Sequence, residues 1–327
     1  MTDNSPRTPE HFFITGGLGC IGAWVVRNLL REGIPVTIFD LASSPHRLKL
    51  ILTEPELAAI QFLSGDMRDL QAVKAAIQSS QATHIIHLAA LQVPSCKADP
   101  SQGALVNVVG TVNLFEAARQ AGIQHIVYAS SVAVYGLSEE YPEGEIDDQA
   151  ALKPRTHYGV YKQANEGTAR IYWLDNGISS IGLRPYTLYG PGRDQGMTSS
   201  PTKAMLAAAA QQAYHIPYGG RGGMQYTDDV AKIFIQAARL VFQGAEVLNI
   251  RGSVVDMPEI IAAIEAAEPA VKGKITFDPK PLALPAGADD SALRRLFGKL
   301  PNTPLNTGVK ATVELFKQAL ADGRIAL

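Results

Sequence analysis

The sequence predicts an α/β fold, a doubly wound parallel sheet with a smaller C-terminal lobe. Two observations predict it. From His11 to Arg184, short β-branched or aromatic runs alternate with helix-length amphipathic stretches, the pattern of repeated βαβ units. A glycine-rich turn, Thr15-Gly16-Gly17-Leu18-Gly19-Cys20-Ile21-Gly22, ends the first run and opens the first helix. Parallel crossovers are right-handed and cover both faces of a sheet with helices, so units of this kind close most economically as an open sheet. The ligand crevice then lies at the carboxyl ends of the strands.

The polar stretch 1–10, broken by Pro6 and Pro9, reads as a frayed tail with no apolar signal segment behind it. Strands are expected at Phe12 to Thr15, Val36 to Asp40, Gln61 to Ser64, His84 to Leu88, His125 to Ala129 and Ser179 to Arg184. Helices are expected at Cys20 to Arg31, Asp69 to Ser79, Gly103 to Ala121 and His157 to Asn176. Residues 11–185 therefore form the first domain. After Arg184 the alternation loosens: Gly190, Pro191, Gly192 and Gly196 interrupt it, and a helix from Ser199 to Gln212 and a glycine-rich turn at Gly219 to Gly223 follow. Helices at Asp228 to Phe242 and Gly308 to Ala321 complete the chain. Residues 186–327 are assigned mainly to the smaller, substrate-binding lobe, with some segments free to return to the sheet.

Composition removes several classes. Of 327 residues 46% are hydrophobic and 18% charged, with a formal net charge of -2, which argues against disorder and against a nucleic-acid partner. Cys20 and Cys96 stand in unrelated contexts with no Cys/His cluster, so no metal site or disulfide framework is expected. The longest small-apolar run, Ala204 to Ala210, is too short to span a bilayer, and no membrane partner is expected. The location read from these features is the cytoplasm.

The glycine turn, the strand before it and the helix after it form a Rossmann-type phosphate motif: glycine permits the tight turn and close approach of backbone N–H groups to a pyrophosphate. Asp40, about 20 residues on at the second strand end, can accept from both adenine-ribose hydroxyls and would repel a 2′-phosphate. NAD is therefore expected rather than NADP, although Arg47 lies close enough in sequence to hold the extra phosphate. Asp66 and the small residues Ala89 and Ala90 end further strands on the same side. Tyr158 and Lys162, four apart, share one helix face, and an ammonium beside a phenol favours the phenolate. A hydroxyl is expected at the fifth strand end, from Ser131 with Ser130 as the alternative.

These residues and their order resemble an extended short-chain dehydrogenase/reductase of the NAD-dependent sugar epimerase/dehydratase family. The resemblance is carried by TGGLGCIG, Asp40, Gly65-Asp66, HLAA at His87 to Ala90, and VNVVGTVNLFEAAR at Val106 to Arg119. SSVAVYG at Ser130 to Gly136, YGVYKQANE at Tyr158 to Glu166, LRPYTLYGPG at Leu183 to Gly192 and DDVA at Asp228 to Ala231 continue it. It implies a catalytic triad of Ser131, Tyr158 and Lys162. It further implies NAD contacts at Gly16, Gly19, Cys20, Ile21, Asp40, Asp66, Met67, Leu88, Ala89, Ala90, Asn107, Tyr158, Lys162 and Pro185. A homodimer through the helices of Asn107 and Tyr158 is implied as well.

Departures from the family pattern bear on substrate. Val132 and Ala133 replace the acidic pair of the 4,6-dehydratases and cannot move a proton, which excludes that chemistry. Thr187 stands where epimerases commonly have asparagine, Gly222 where an arginine is expected beside Arg221, and Leu284-Pro285-Ala286-Gly287 lacks a further cation. Missing anchors count against a second diphosphate. The expected activity is hydride transfer between NAD and a secondary alcohol or ketone of a sugar, sugar acid or related polar molecule, touched by Ser131, Val132, Tyr158, Thr187, Arg193 and Arg221. An NAD-retaining nucleotide-sugar epimerase is the alternative, and a non-catalytic NAD-binding redox sensor the third reading.

Overall fold

The structure, a computed structural model, describes residues 9–282 and 284–326. Most of the expected frayed tail, residues 1–8, lies outside them. β1 (Phe12–Thr15), α1 (Cys20–Arg31) and β2 (Val36–Asp40) are followed by the short α2 (His46–Ile51) and α3 (Glu54–Ala58), then β3 (Gln61–Ser64), α4 (Leu70–Ser80) and β4 (His84–His87). α5 (Val93–Ala98) and α6 (Pro100–Ala104) lead through a π-helical turn, Leu105–Val109, into α7 (Gly110–Gln120), β5 (His125–Ala129), α8 (His157–Asn176) and β6 (Ser179–Arg184). Beyond these come β7 (Thr187–Tyr189), α9 (Ser200–Ala209), β8 (Tyr214–Ile216), β9 (Arg221–Tyr226), α10 (Thr227–Arg239) and β10 (Ala245–Asn249). β11 (Ser253–Asp256), α11 (Met257–Ala267), β12 (Ile275–Phe277), α12 (Ser291–Phe297) and α13 (Leu305–Ala321) close the chain.

Seven parallel strands lie in the order β10-β6-β5-β4-β1-β2-β3. The chain winds outward in both directions from the β1/β4 pair, where Thr15 faces both Phe39 and His87. Connections leaving opposite faces at that switch point leave a crevice at the strand ends. β1 and β6 are buried along their whole length, as apolar strands covered on both faces must be. Trp24, Val25 and Leu29 of α1 pack with Val230 and Phe234 of α10 on one face; Ile77, Leu114, Phe115 and Tyr128 fill the other. The smaller lobe joins a three-stranded sheet, β11-β9-β7, and the β12-β8 pair to α9, α11 and α13 around Tyr189, Met205, Ile216, Ile264 and Val313. No described helix is long and apolar enough to cross a membrane.

The six expected strands fall where the periodicity puts them, except that β4 closes at His87 rather than Leu88. Three expectations need correction. The single helix expected over Gly103 to Ala121 is interrupted by the π turn, whose wider backbone lets the Asn107 carbonyl accept from both Thr111 Oγ1 (2.7 Å) and Asn165 Nδ2 (2.9 Å). The seventh strand of the sheet, β10, is not among the expected ones: it pairs with β6, and the preceding α10 packs on α1. The glycine-rich stretch at Gly219 to Gly223 is not a free turn: Arg221 to Gly223 belong to β9 and pair with β11. A Cβ on Gly223 would sit 3.2 Å from the Tyr186 ring, so this glycine serves close packing.

One buried ion pair fastens α8 to the sheet. Arg184, the last residue of β6, donates to Glu166 through Nε (2.9 Å) and Nη2 (2.8 Å), and Ser130 Oγ donates to the same carboxylate at 2.5 Å. Arg184 Nη1 also reaches Tyr135 Oη (2.6 Å) and the Asp148 carbonyl (2.9 Å). Glu166 and Arg184 are only 8% and 3% exposed, so each charge depends on the other. Burial works against the Arg184 charge, but the Glu166 carboxylate outweighs it and holds the guanidinium above its ordinary pKa. Removing one partner of such a pair leaves a desolvated charge and costs about 3–5 kcal/mol. Glu166→Ala is expected to lose that much in urea denaturation, whereas Glu314→Ala, in the exposed Lys310–Glu314 pair, should leave the curve unmoved.

Candidate active site

The crevice begins at the turn after β1. Gly16 takes φ +70°, and a Cβ there would lie 2.6 Å from the Ala89 nitrogen. A Cβ on Gly22 would lie 2.4 Å from the Gly16 carbonyl. The turn therefore closes directly on the β4 loop and on its own helix, which only glycine permits. The α1 N-terminus that follows has no side-chain cap and no acidic residue in its first turn, leaving its N–H groups for an anion. Gly16, Gly19, Cys20, Asp40, Asp66, Met67, Leu88, Ala89 and Ala90 line this half of the crevice.

Two local contacts shape the expected adenosine end. Asp40 is fixed by the N–H groups of Leu18 (3.1 Å) and Ala42 (3.0 Å). Arg47 turns away from it, donating to Asp194 through Nε (3.0 Å) and Nη2 (2.7 Å) and to the Leu18 carbonyl through Nη1 (3.0 Å). Its charge is paired with Asp194 and each of its nitrogens already donates, so Arg47 is not a free cation for a 2′-phosphate, and the acidic strand end fits NAD. Asp66 is gripped by Arg68 at 2.8 and 2.5 Å, which holds its carboxyl below the usual range.

A second half, a cavity of about 410 Å³, continues from the same glycines and brings Ile21, Ser131, Val132, Tyr158, Lys162, Pro185, Thr187 and Arg193 together. Lys162 is 4% exposed, and its Nζ donates to the Ala129 carbonyl at 2.6 Å. An ammonium has three N–H donors, so those not given to Ala129 are left for a ligand. Burial pulls the Lys162 pKa down to about 8, against the opposing influence of Cys96 and Glu166. Nζ stands 5.5 Å from the centre of the Tyr158 ring. Burial pushes the Tyr158 hydroxyl above its ordinary range, while the hydroxyl of Ser131 and the charge of Arg193 pull the other way. Ser131 also accepts from the Ala133 N–H (3.1 Å), which fixes its rotamer. Both serines line the cavity, but the Ser130 hydroxyl donates to Glu166, which leaves Ser131 as the serine whose proton is not committed to a carboxylate.

Two expected residues are not brought into the crevice. Asn107 is buried; its side chain accepts from Leu91 N (2.7 Å) and donates to the Leu91 carbonyl (2.9 Å). It clamps the loop after β4 and lines neither half of the crevice. Arg221 also lies outside, held by its strand register and paired with Asp256 at 3.2 Å. Conversely, Gln92, Pro94, Tyr186, Met197, Leu282 and Leu284 line the cavity without having been expected as site residues from the sequence. Pro94 follows the HLAA segment and Tyr186 lies between two chosen residues, so proximity could have found them. Nothing local marks Leu282, and Leu284 stands out only as part of the segment that lacks a cation.

The cradle generates a direct expectation. Alanine in place of a helical glycine would ordinarily gain about 1 kcal/mol. Gly22→Ala must instead push the Gly16 carbonyl aside, so NAD affinity should fall at least tenfold in calorimetric titration while the far-ultraviolet circular dichroism spectrum is kept.

Comparison with known proteins agrees with this geometry. The family model of the NAD dependent epimerase/dehydratase family matches residues 12–250. The chain is 29% identical to a UDP-glucose 4-epimerase of Mycolicibacterium smegmatis, over 93% of this chain and 97% of that protein. It superposes on the NAD complex of UDP-glucose 4-epimerase from Thermus thermophilus with a TM-score of 0.80 at 25% identity, covering 94% and 99% of the two chains. An L-threonine dehydrogenase from Clostridium difficile, at 21% identity, shares the fold with a TM-score of 0.82 over 95% and 99%. With a glycine cradle, an acidic strand end and a family match running the length of the large sheet, the chain belongs to the NAD-dependent epimerase/dehydratase family and is an NAD-dependent enzyme.

Proposed function

We propose that the protein oxidises or reduces a secondary alcohol or ketone on a compact carbohydrate-like molecule, with Tyr158 exchanging the proton. The observation that carries this reading is the convergence of Tyr158, Lys162 and Ser131 in a cavity continuous with the glycine cradle. NAD, when bound, supplies the carbon that accepts or gives the hydride. Gly16, Gly19 and the α1 N-terminus would hold its phosphates, Asp40 its adenosine ribose and Lys162 its second ribose.

The protein's own groups account for the proton. Ser131 holds the substrate oxygen by a hydrogen bond, and Tyr158 exchanges the proton with that oxygen directly: its phenolate takes the proton of a carbinol being oxidised, and its phenol gives one to a carbonyl being reduced. A phenol that burial keeps protonated at rest is a weak base, so the transfer needs positive charge nearby. Lys162 supplies that charge from inside the protein, where solvent does not screen it. Val132 and Ala133 line the wall without a proton to give, in keeping with redox chemistry and against loss of water.

A non-nucleotide substrate is favoured by the cavity wall. Arg155 and Arg193 are the arginines that line it, and Arg155 is already paired with Glu140 at 2.7 Å. Two phosphates desolvated together need several fixed donors. Relatives that epimerise UDP-sugars support the second reading, in which the same residues oxidise one carbon and then reduce it.

We also assign a homodimer and a cytoplasmic location. Val160, Ile171 and Leu174 stand exposed along one side of α8, beside exposed Leu105, Val109 and Val112, a face that a second copy would cover. Both cysteines are free, as suits a reducing compartment.

Two measurements follow. Free sugars, sugar acids and nucleotide sugars, assayed for NADH absorbance, should include a compact member that accumulates NADH. Tyr158→Phe should lower that rate by about a hundredfold to ten-thousandfold. Conversion of a nucleotide sugar without NADH accumulation would instead establish the epimerase. For the assembly, Ile171→Glu with Leu174→Glu should convert a sedimenting dimer to a monomer; sedimentation of the unaltered protein as a monomer at micromolar concentration would remove the assignment.

A further inference from the structure

Arginines beside the crevice share a pattern that one of them breaks. Arg47 pairs with Asp194, Arg68 with Asp66, Arg155 with Glu140 and Arg221 with Asp256. Among the described residues none places a carboxylate on Arg193. Its Nη2 donates to Thr198 Oγ1 at 3.0 Å, and its Nε is buried with no hydrogen-bond partner. A buried donor left unmet costs stability, more so on a charged group, and at the wall of a cavity an arriving anion can meet it.

The side chain is also held in place. Trp24 Nε1 donates to the Pro191 carbonyl (2.9 Å), anchoring the loop to α1 just before Arg193. On the other side, Asp194 is fixed by Arg47 (2.7 Å) and His46 (2.9 Å), so this neighbouring acid is consumed and does not neutralise Arg193. Gly192 and Gly196, at φ +90° and +93°, turn the chain on either side, and a Cβ on Gly196 would meet Gln92 Oε1. A guanidinium prepositioned in this way loses little freedom when an anion arrives. Arg184 displays the geometry such an anion would meet, giving both Nε and Nη2 to one carboxylate.

Arg193 lies on the seam between the two halves of the crevice. Its fixed partner Thr198 and the adjoining Met197 line only the half that contains Ser131 and Tyr158. The cofactor's phosphates are met by backbone N–H groups of α1 and do not call for this side chain. We propose that Arg193 anchors a carboxylate carried by the substrate itself, so that the enzyme acts on a sugar acid or similar hydroxy acid and places its carbinol at Tyr158. This rests on the hydride-transfer reading above and narrows its substrate class.

The test uses NAD-loaded protein carrying Tyr158→Phe, which prevents turnover, titrated by calorimetry with gluconate, glucuronate and galacturonate and with the uncharged glucose and galactose. At least one acid should bind ten times more tightly than its parent sugar. Adding Arg193→Gln should abolish that preference while NAD affinity stays within threefold, and Arg193→Lys should keep part of it. The proposal is overturned if no acid is preferred, if the preference survives Arg193→Gln, or if that substitution costs tenfold in NAD affinity, which would assign the anion to the cofactor's phosphates. Absence of any NAD-linked turnover of these sugars and acids by the protein with Tyr158 and Arg193 intact would sink the hydride-transfer reading separately, leaving the acid preference to be judged on its own.

Discussion

The site depends on a charge kept where water would normally be needed to keep it. Lys162 is buried, its ammonium held by the Ala129 carbonyl at the end of β5, and the helix that carries it is fixed one turn later by Glu166 on Arg184. Residues 162 and 166 share one face of α8, so the ion pair sets the height and rotation of Lys162, while Tyr158 on the turn before is set with it. Ser130, donating to the same carboxylate, ties in the strand end whose next residue is Ser131. Three functional side chains from two elements are thus located by one buried pair. A pair of this kind is weak evidence for stability, but its loss would be felt at the cavity as well as in the core.

The surroundings are tuned to leave that charge as the one that acts. His87, which lies in the field of Lys162, is pulled by burial down to about 3 and stays neutral. It bridges Thr15 Oγ1 (2.6 Å) on β1 to Thr111 Oγ1 (3.0 Å) on α7, so the switch point between β1 and β4 is closed by a neutral hydrogen-bonded chain. Asn107 completes this support by holding Leu91 instead of touching the crevice. Its carbonyl, freed from regular helix geometry by the π turn, receives Thr111 and Asn165 and so joins α7 to α8.

What could be read from the sequence was what period and local chemistry encode. β1, β2 and β6 are unbroken buried runs, and the glycine turn, Asp40 and the Tyr158–Lys162 spacing are contiguous or helical patterns. The π turn left no trace because it adds a residue per turn without changing composition. The β9 glycines read as a turn because glycine signals punctuation, whereas Gly223 is glycine to make room for Tyr186. Arg221 was misplaced with them. Leu282 and Leu284 enter the cavity from about 100 residues beyond β6, a distance no local pattern spans. Arg193 was visible as a loop arginine, but only the structure separates it from Arg47 and Arg155, whose charges are already met.

The account therefore turns on Lys162 being buried and on what that burial does to its ammonium. Its folded pKa, near 8, lies below the ordinary value of about 10.5, so between these values the unfolded chain binds more protons. Burial of this ammonium costs stability at neutral pH, and the cost fades as pH rises through that window. Carbon-13 labelling of lysine Cε in the cofactor-free protein, with the signal assigned by Lys162→Arg, follows this group directly by nuclear magnetic resonance. The account predicts one lysine titrating near pH 8, well separated from the rest. Titration of Lys162 together with the surface lysines would contradict it.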